Sequence, residues 1–69
     1  MQATLSQADT VRAKSAMLIL IRELYRKDAL VTMSSHEVIA YLTGEFKSRG
    51  FAGEISTALA YATVKRFLG

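Results

Sequence analysis

The sequence predicts an all-α fold, and three observations carry that expectation. The 69 residues contain no proline, so no helix interior is obliged to break. Apolar residues recur at helical spacing in three segments that span nearly the whole chain. Ser34-Ser35-His36-Glu37 places a capping serine three residues before a glutamate, the pattern that starts a helix by satisfying two backbone N–H groups at once. The expected architecture is a compact three-helix domain with one short extended segment between helices one and two.

Helix one is expected from Ser6 or Asp9 to Lys27. At about 100° per residue, Met17, Leu18, Leu20, Ile21, Leu24 and Tyr25 share one arc, with Arg12, Arg22, Glu23 and Arg26 opposite. Ile19 projects among those charges. The link Leu30-Val31-Thr32 has strand chemistry in a stretch too short to stand alone, and is expected as a single extended bridge under the helices.

Helix two begins at the Ser34 cap. Met33 and Val38 flank the cap as a hydrophobic staple does, and Val38, Ile39, Leu42 and Phe46 form its apolar stripe. Gly44 inside a helix costs about 1 kcal/mol against alanine, so a close helix crossing is expected there. Gly50 is the expected left-handed cap, and Phe51 the expected core plug between helices. Helix three follows from Gly53 or Glu54 to Phe67, with Ile55, Ala58, Leu59 and Ala62 as its expected inner face. Ser56, Thr57, Ala60, Tyr61, Val64 and Leu68 fall to the sides or outside.

Composition narrows function by exclusion. A chain of this length allows one domain, residues 1–69, with 1–8 expected as a flexible N-terminus. Cysteine is absent, so a disulfide scaffold and a thiolate metal site are excluded. The longest apolar run, Ala16 to Ile21, falls far short of the roughly 20 residues that cross a bilayer. Met1-Gln2-Ala3-Thr4 shows no signal-peptide core, and a cytoplasmic protein is expected. No enzyme is expected either. His36 is the single histidine and falls in the first turn of a helix. The acids Asp9, Glu23, Asp28, Glu37, Glu45 and Glu54 form no local pair. No metal and no cofactor are expected.

Nine Lys and Arg against six Asp and Glu give a net charge of +3, which favours an anionic partner, nucleic acid first. Gly50-Phe51-Ala52-Gly53 has the GxxG spacing of KH clamps, but its middle residues are apolar and no sheet is in view. The basic residues are better guides by position. Lys47 and Arg49 end helix two beside the turn, and Lys65 and Arg66 end helix three. The i,i+4 row Thr57, Tyr61 and Lys65 runs along helix three, and contains no Arg, Asn or Gln, the side chains that read bases best.

From Met17 to Leu68 the chain resembles the helix-turn-helix superfamily, in particular its winged-helix branch without an evident wing. The resemblance rests on helix one, the Leu30-Val31-Thr32 link, the capped stretch Ser34-Ser35-His36-Glu37-Val38-Ile39-Ala40-Tyr41-Leu42 and the stretch Glu54-Ile55-Ser56-Thr57-Ala58-Leu59. The segment Lys47 to Gly53 is longer than the tight turn of the simplest motifs. The resemblance implies a recognition helix whose exposed Ser56, Thr57, Ala60 and Tyr61 face the major groove, with Lys65 near phosphate.

Two functions compete at this level, beside a third in which the helical domain is purely architectural. The first is a small DNA-binding accessory or regulatory protein of low sequence specificity. In it Lys47, Arg49, Lys65 and Arg66 position phosphate, and Thr57 and Tyr61 approach the groove. The second is a protein-binding subunit that docks on a larger replication or transcription complex, or pairs with itself. In that reading Ile19 among Arg22 and Arg26, together with Val64, Phe67 and Leu68, supplies the interface.

Overall fold

A computed structural model describes residues 6–69. Four helices follow in order, α1 (Gln7–Arg26), α2 (Ala29–Thr32), α3 (Ser35–Ser48) and α4 (Gly53–Phe67). The described residues are all-α and contain no strand. None of their helices is long and apolar enough to cross a membrane. The expectation of a flexible N-terminus falls, for residues 1–5, outside the described residues. Ser6 caps α1, and Gln7 and Ala8 belong to it.

α1 starts where the Ser6 hydroxyl oxygen accepts the Asp9 N–H at 3.1 Å. Asp9 also suits the positive end of the helix. Its buried residues are Ala13, Ala16, Met17, Leu20, Ile21 and Leu24, a stripe at i, i+3, i+4, i+7, i+8 and i+11. The expected arc is rotated: Leu18 is 45% exposed and Tyr25 58%. Their place is taken by Ala13 and Ala16, whose small side chains let neighbouring elements come close. Ile19 projects outward as expected.

After α1, Asp28 takes a left-handed conformation at φ 52°, which aspartate tolerates better than most residues. The expected extended bridge at Leu30-Val31-Thr32 is instead part of one helical turn, α2. A lone three-residue strand has no ladder to satisfy its backbone, whereas a turn satisfies it locally. The Val31 N–H donates to the Asp28 carbonyl at 3.2 Å, and the Met33 N–H to the Ala29 carbonyl at 2.8 Å. Leu30 is half-buried; Val31 points away from the protein.

The capping box at the start of α3 is complete. The Glu37 N–H donates to Ser34 Oγ, and the Ser34 N–H to Glu37 Oε1, each at 3.2 Å. Val38, Leu42 and Phe46 are buried and Ile39 is half-buried. Gly44 is not at a close crossing. It lies roughly 160° round the helix from the buried stripe, and nothing lies within 4 Å of where a Cβ would stand.

The turn after α3 is a Schellman motif. Gly50 adopts φ +95°, a value that favours glycine. The Phe51 N–H reaches back to the Phe46 carbonyl at 3.2 Å, and the Gly50 N–H to the Lys47 carbonyl at 3.0 Å. The hydrophobic contact that accompanies this motif is present as an edge-to-face pair, Phe46 and Phe51, with centroids 5.9 Å apart. Phe51 is buried, the plug the sequence implies. Arg12 of α1 joins the same turn. Its guanidinium donates to the Arg49 carbonyl at 2.7 Å and to Asp9 at 2.8 Å, and lies 4.8 Å from the Phe51 ring centroid.

α4 runs back along α3, and these two helices pack most extensively against each other. The start of α3 (Ser35, Val38) and the end of α4 (Val64, Leu68) line one hollow, so the pair is antiparallel. The buried face of α4 is Ser56, Leu59, Ala60 and Thr63. This corrects the expected inner face: Ala58 and Ala62 are exposed, Ile55 is half-buried, and only Leu59 is buried as expected. Serine and threonine read as polar in a pattern, yet both hydroxyls bond to nearby carbonyls. Ser56 donates to the Phe51 carbonyl at 3.2 Å and Thr63 to the Leu59 carbonyl at 2.7 Å. With their polar atoms satisfied, these small residues give the close approach that larger ones would prevent.

The two glycines of α3 and its turn give opposite predictions. Gly44→Ala raises stability by up to about 1 kcal/mol, because the added methyl meets open space and the helix loses a poor former. Gly50→Ala lowers it by about 1 kcal/mol or more, because the left-handed backbone penalises a Cβ. Urea unfolding of the two variants checks both signs.

Candidate nucleic-acid interface

The exposed side of α4 follows from what its other side buries. With Ser56, Leu59, Ala60 and Thr63 turned inward, Ala58, Tyr61, Ala62 and Lys65 face outward, and Thr57 sits at the edge of that face. Tyr61 is 58% exposed. Ser56 and Ala60, expected at the groove from the recognition-helix resemblance, are each 0% exposed and unable to touch a partner. The reason is the α3–α4 packing, which takes the small residues for itself.

Lys47, at the end of α3, extends this face beyond the start of α4. Its Cε lies 3.4 Å from the position of a Cβ on Gly53, so the chain of Lys47 lies along the first turn of α4. Gly53, Thr57, Tyr61 and Lys65 then follow at four-residue intervals. The row from Lys47 to Lys65 covers roughly 18 Å along the axis at 1.5 Å per residue. Both cationic ends are exposed. The Thr57 hydroxyl donates to the Gly53 carbonyl at 3.1 Å, which leaves it only acceptor capacity toward a ligand. Glu54 is exposed in the first turn of the same helix and is the one acid of this face.

The remaining two candidates stand apart from the row. Arg49 pairs with Glu45 at 3.2 Å, so its charge is balanced within α3 and its turn. Arg66 leaves α4 on the side facing α1, with its guanidinium 5.6 Å from the Phe67 ring centroid. There it lines a hollow of about 200 Å³ with Lys14, Met17, Leu18 and Phe67. Lys14 was not among the residues the sequence singled out. On α1 alone it is an isolated cation, and only the packing of α1 against α4 brings it beside Arg66.

The charge distribution sharpens this picture. Three of the nine cations are in ion pairs, Arg12 with Asp9, Arg26 with Glu23 and Arg49 with Glu45. The other six, Lys14, Arg22, Lys27, Lys47, Lys65 and Arg66, have no carboxylate partner among the described residues. Four of those six lie on α4, against it, or beside its first turn. Arg12, which periodicity places opposite the apolar arc with Arg22 and Arg26, is tied to the α3–α4 turn.

The apolar residues expected at a protein interface line three separate hollows. Ile19 is 52% exposed and lines a hollow of about 380 Å³ with Val11, Arg12, Ser15, Ala16, Arg49 and Phe51. Arg22 is exposed, and Arg26 pairs with Glu23 at 3.4 Å. Val64 and Leu68 line the separate hollow between α3 and α4, with Leu30 and Met33. Phe67 belongs to the Lys14–Arg66 hollow.

His36 is exposed at the start of α3. Tyr41 has its pKa raised by burial and by the negative charge of Glu45, so the phenol stays protonated near neutral pH. Among the described residues no three of His, Cys, Asp or Glu are grouped to hold a metal ion. Comparison with known proteins returns no matching family model, no matching curated protein and no matching solved structure.

Proposed function

We propose that this protein is a small basic nucleic-acid-binding module, with DNA as the foremost target, acting as an accessory or regulatory factor of low sequence specificity. The observation that supports it best is the exposed row of α4, with an unpaired lysine at each end and Tyr61 between. In this reading α4, the second helix of the antiparallel α3–α4 pair, presents its outer row to the nucleic acid as a recognition helix does. Lys47 and Lys65 position phosphate from the two ends of the row, with Arg66 on the flank of α4 and Arg49 at the turn as outlying contacts. Tyr61 and the edge residue Thr57 approach the bases. Ala58 and Ala62 are small enough to let the helix lie close to a groove. Contacts of this kind give affinity without strong readout, because phosphate carries no sequence information.

The test is a salt titration of binding to duplex DNA. About three phosphate contacts give a slope of about −3 in log affinity against log salt, or roughly 50-fold weaker binding between 50 and 200 mM. The double variant Lys47→Ala/Lys65→Ala lowers that slope by about two. Affinity that ignores salt, or no binding at low salt, contradicts the proposal.

A second reading rests on a different surface. Val11 is 61% exposed and Ile19 52%, and they edge the hollow whose wall includes the buried ring of Phe51. Exposed apolar groups around a concavity suit a protein partner, either a larger nucleic-acid machine or a second copy of the chain. Ile19→Asp then leaves the helical fold intact and abolishes self-association in sedimentation velocity. A wild-type chain that stays monomeric at several hundred micromolar, with a partner profile in pull-downs unchanged by Ile19→Asp, counts against this reading.

A further inference from the structure

We propose that the seam between α1 and α4 seats one nucleotide of a single strand, with its phosphate between Lys14 and Arg66 and its base against Leu18 and Phe67. This deepens the nucleic-acid reading and rests on it.

The seam brings together two like charges from different helices. Lys14 and Arg66 line the same hollow, and neither has a carboxylate partner among the described residues. Two exposed cations on the walls of one hollow raise the positive potential inside it, which attracts an anion. The carboxyl end of α4 supplies the equivalent of about half a negative charge. Against the two cations that leaves a net positive hollow, suited to an anionic group.

The walls of the hollow define the rest of the ligand. Met17 is buried, Leu18 is 45% exposed and Phe67 is half-buried. An anion alone leaves that apolar surface unused, whereas a nucleotide covers it with a flat base while its phosphate meets the cations. The guanidinium of Arg66 already lies over the Phe67 ring, and a guanidinium plane is itself a stacking surface for bases. A volume of about 200 Å³ is below the roughly 300–1,000 Å³ of sites for drug-sized ligands, so the hollow takes a single unit. A base inside a duplex is stacked and paired, and cannot enter without being extruded. The seam therefore selects single strands, by stacking and charge rather than by sequence.

The experiment uses the full chain, ¹⁵N-labelled, titrated at low salt with a short oligothymidylate. Inorganic phosphate, thymidine and a duplex of equal length are the comparison ligands. The expected result is amide shifts at Lys14, Leu18 and Phe67 with the single strand that the duplex does not produce, the duplex shifting the Lys47–Tyr61–Lys65 row instead; a duplex that shifts the seam amides equally overturns the base seat. Lys14→Glu weakens binding about tenfold more than Lys27→Glu, a charge reversal at an exposed cation far from the seam. Leu18→Ala weakens it about fivefold with an unchanged salt slope. If the oligonucleotide binds but shifts only the Lys47–Tyr61–Lys65 row, and Lys14→Glu behaves as Lys27→Glu does, the seat is wrong and the wider reading stands. If phosphate alone reproduces the shifts and Leu18→Ala is silent, the seam holds an anion only and the base seat is overturned. If neither single strand nor duplex binds at low salt, both readings fall.

Discussion

Three elements meet at the turn between α3 and α4, and the geometry of the molecule depends on how that turn is closed. Gly50 supplies the left-handed backbone, and the N–H groups of Gly50 and Phe51 reach back to carbonyls of the last turn of α3. The reversal places the Phe51 ring edge-on against Phe46, where burial of two aromatic side chains outweighs any surface ion pair in the structure. Arg12 then spans the gap from α1. One guanidinium nitrogen takes the Arg49 carbonyl, a group that the end of a helix leaves without an intrahelical donor, while its plane covers the Phe51 ring. The α3–α4 hairpin and the long first helix are thereby held in one register.

That register decides which residues are available for binding. Because α4 is pressed against α3 along Ser56, Leu59, Ala60 and Thr63, its opposite side is populated by Ala58, Tyr61, Ala62 and Lys65. The same register carries α1 across the far end of α4, and so sets Lys14 beside Arg66. Surface chemistry here is a consequence of interior packing. An outer row and a seam, both cationic, result from one antiparallel helix pair and one crossing helix.

Some of this was legible in the sequence and some was not, for physical reasons that can be named. The Ser34 cap and the glycine cap were legible, and the start of α1 was legible to within a turn, because each depends on local backbone chemistry. Ser34 with Glu37 and Gly50 stand where the pattern places them, and α1 starts from the Ser6 cap. Phe51 as the plug follows from its place beside that glycine. The faces of α1 and α4 were not legible. Hydropathy weights Leu18, Tyr25, Ala58 and Ala62 toward the interior and Ser56 and Thr63 toward water. Close helix packing reverses those weights when a small hydroxyl can bond to its own backbone. The link at Leu30-Val31-Thr32 has strand chemistry in sequence, yet β-branched residues favour strands only where another strand is present to pair with. Of the candidate site, the row Thr57, Tyr61 and Lys65 was visible as spacing. The pairing of Lys14 with Arg66 was not, since it exists only between helices distant in sequence.

The bridge from Arg12 to the α3–α4 turn holds α1 in register with the hairpin, and a double-mutant cycle in urea unfolding tests it most directly. Arg12→Ala and Phe51→Leu are measured singly and together, in a chain small enough to unfold in one step. A bridge of this kind predicts a coupling of about 0.5–1 kcal/mol between the two sites. Strictly additive losses would contradict it, and would mean that α1 is held by its apolar stripe alone.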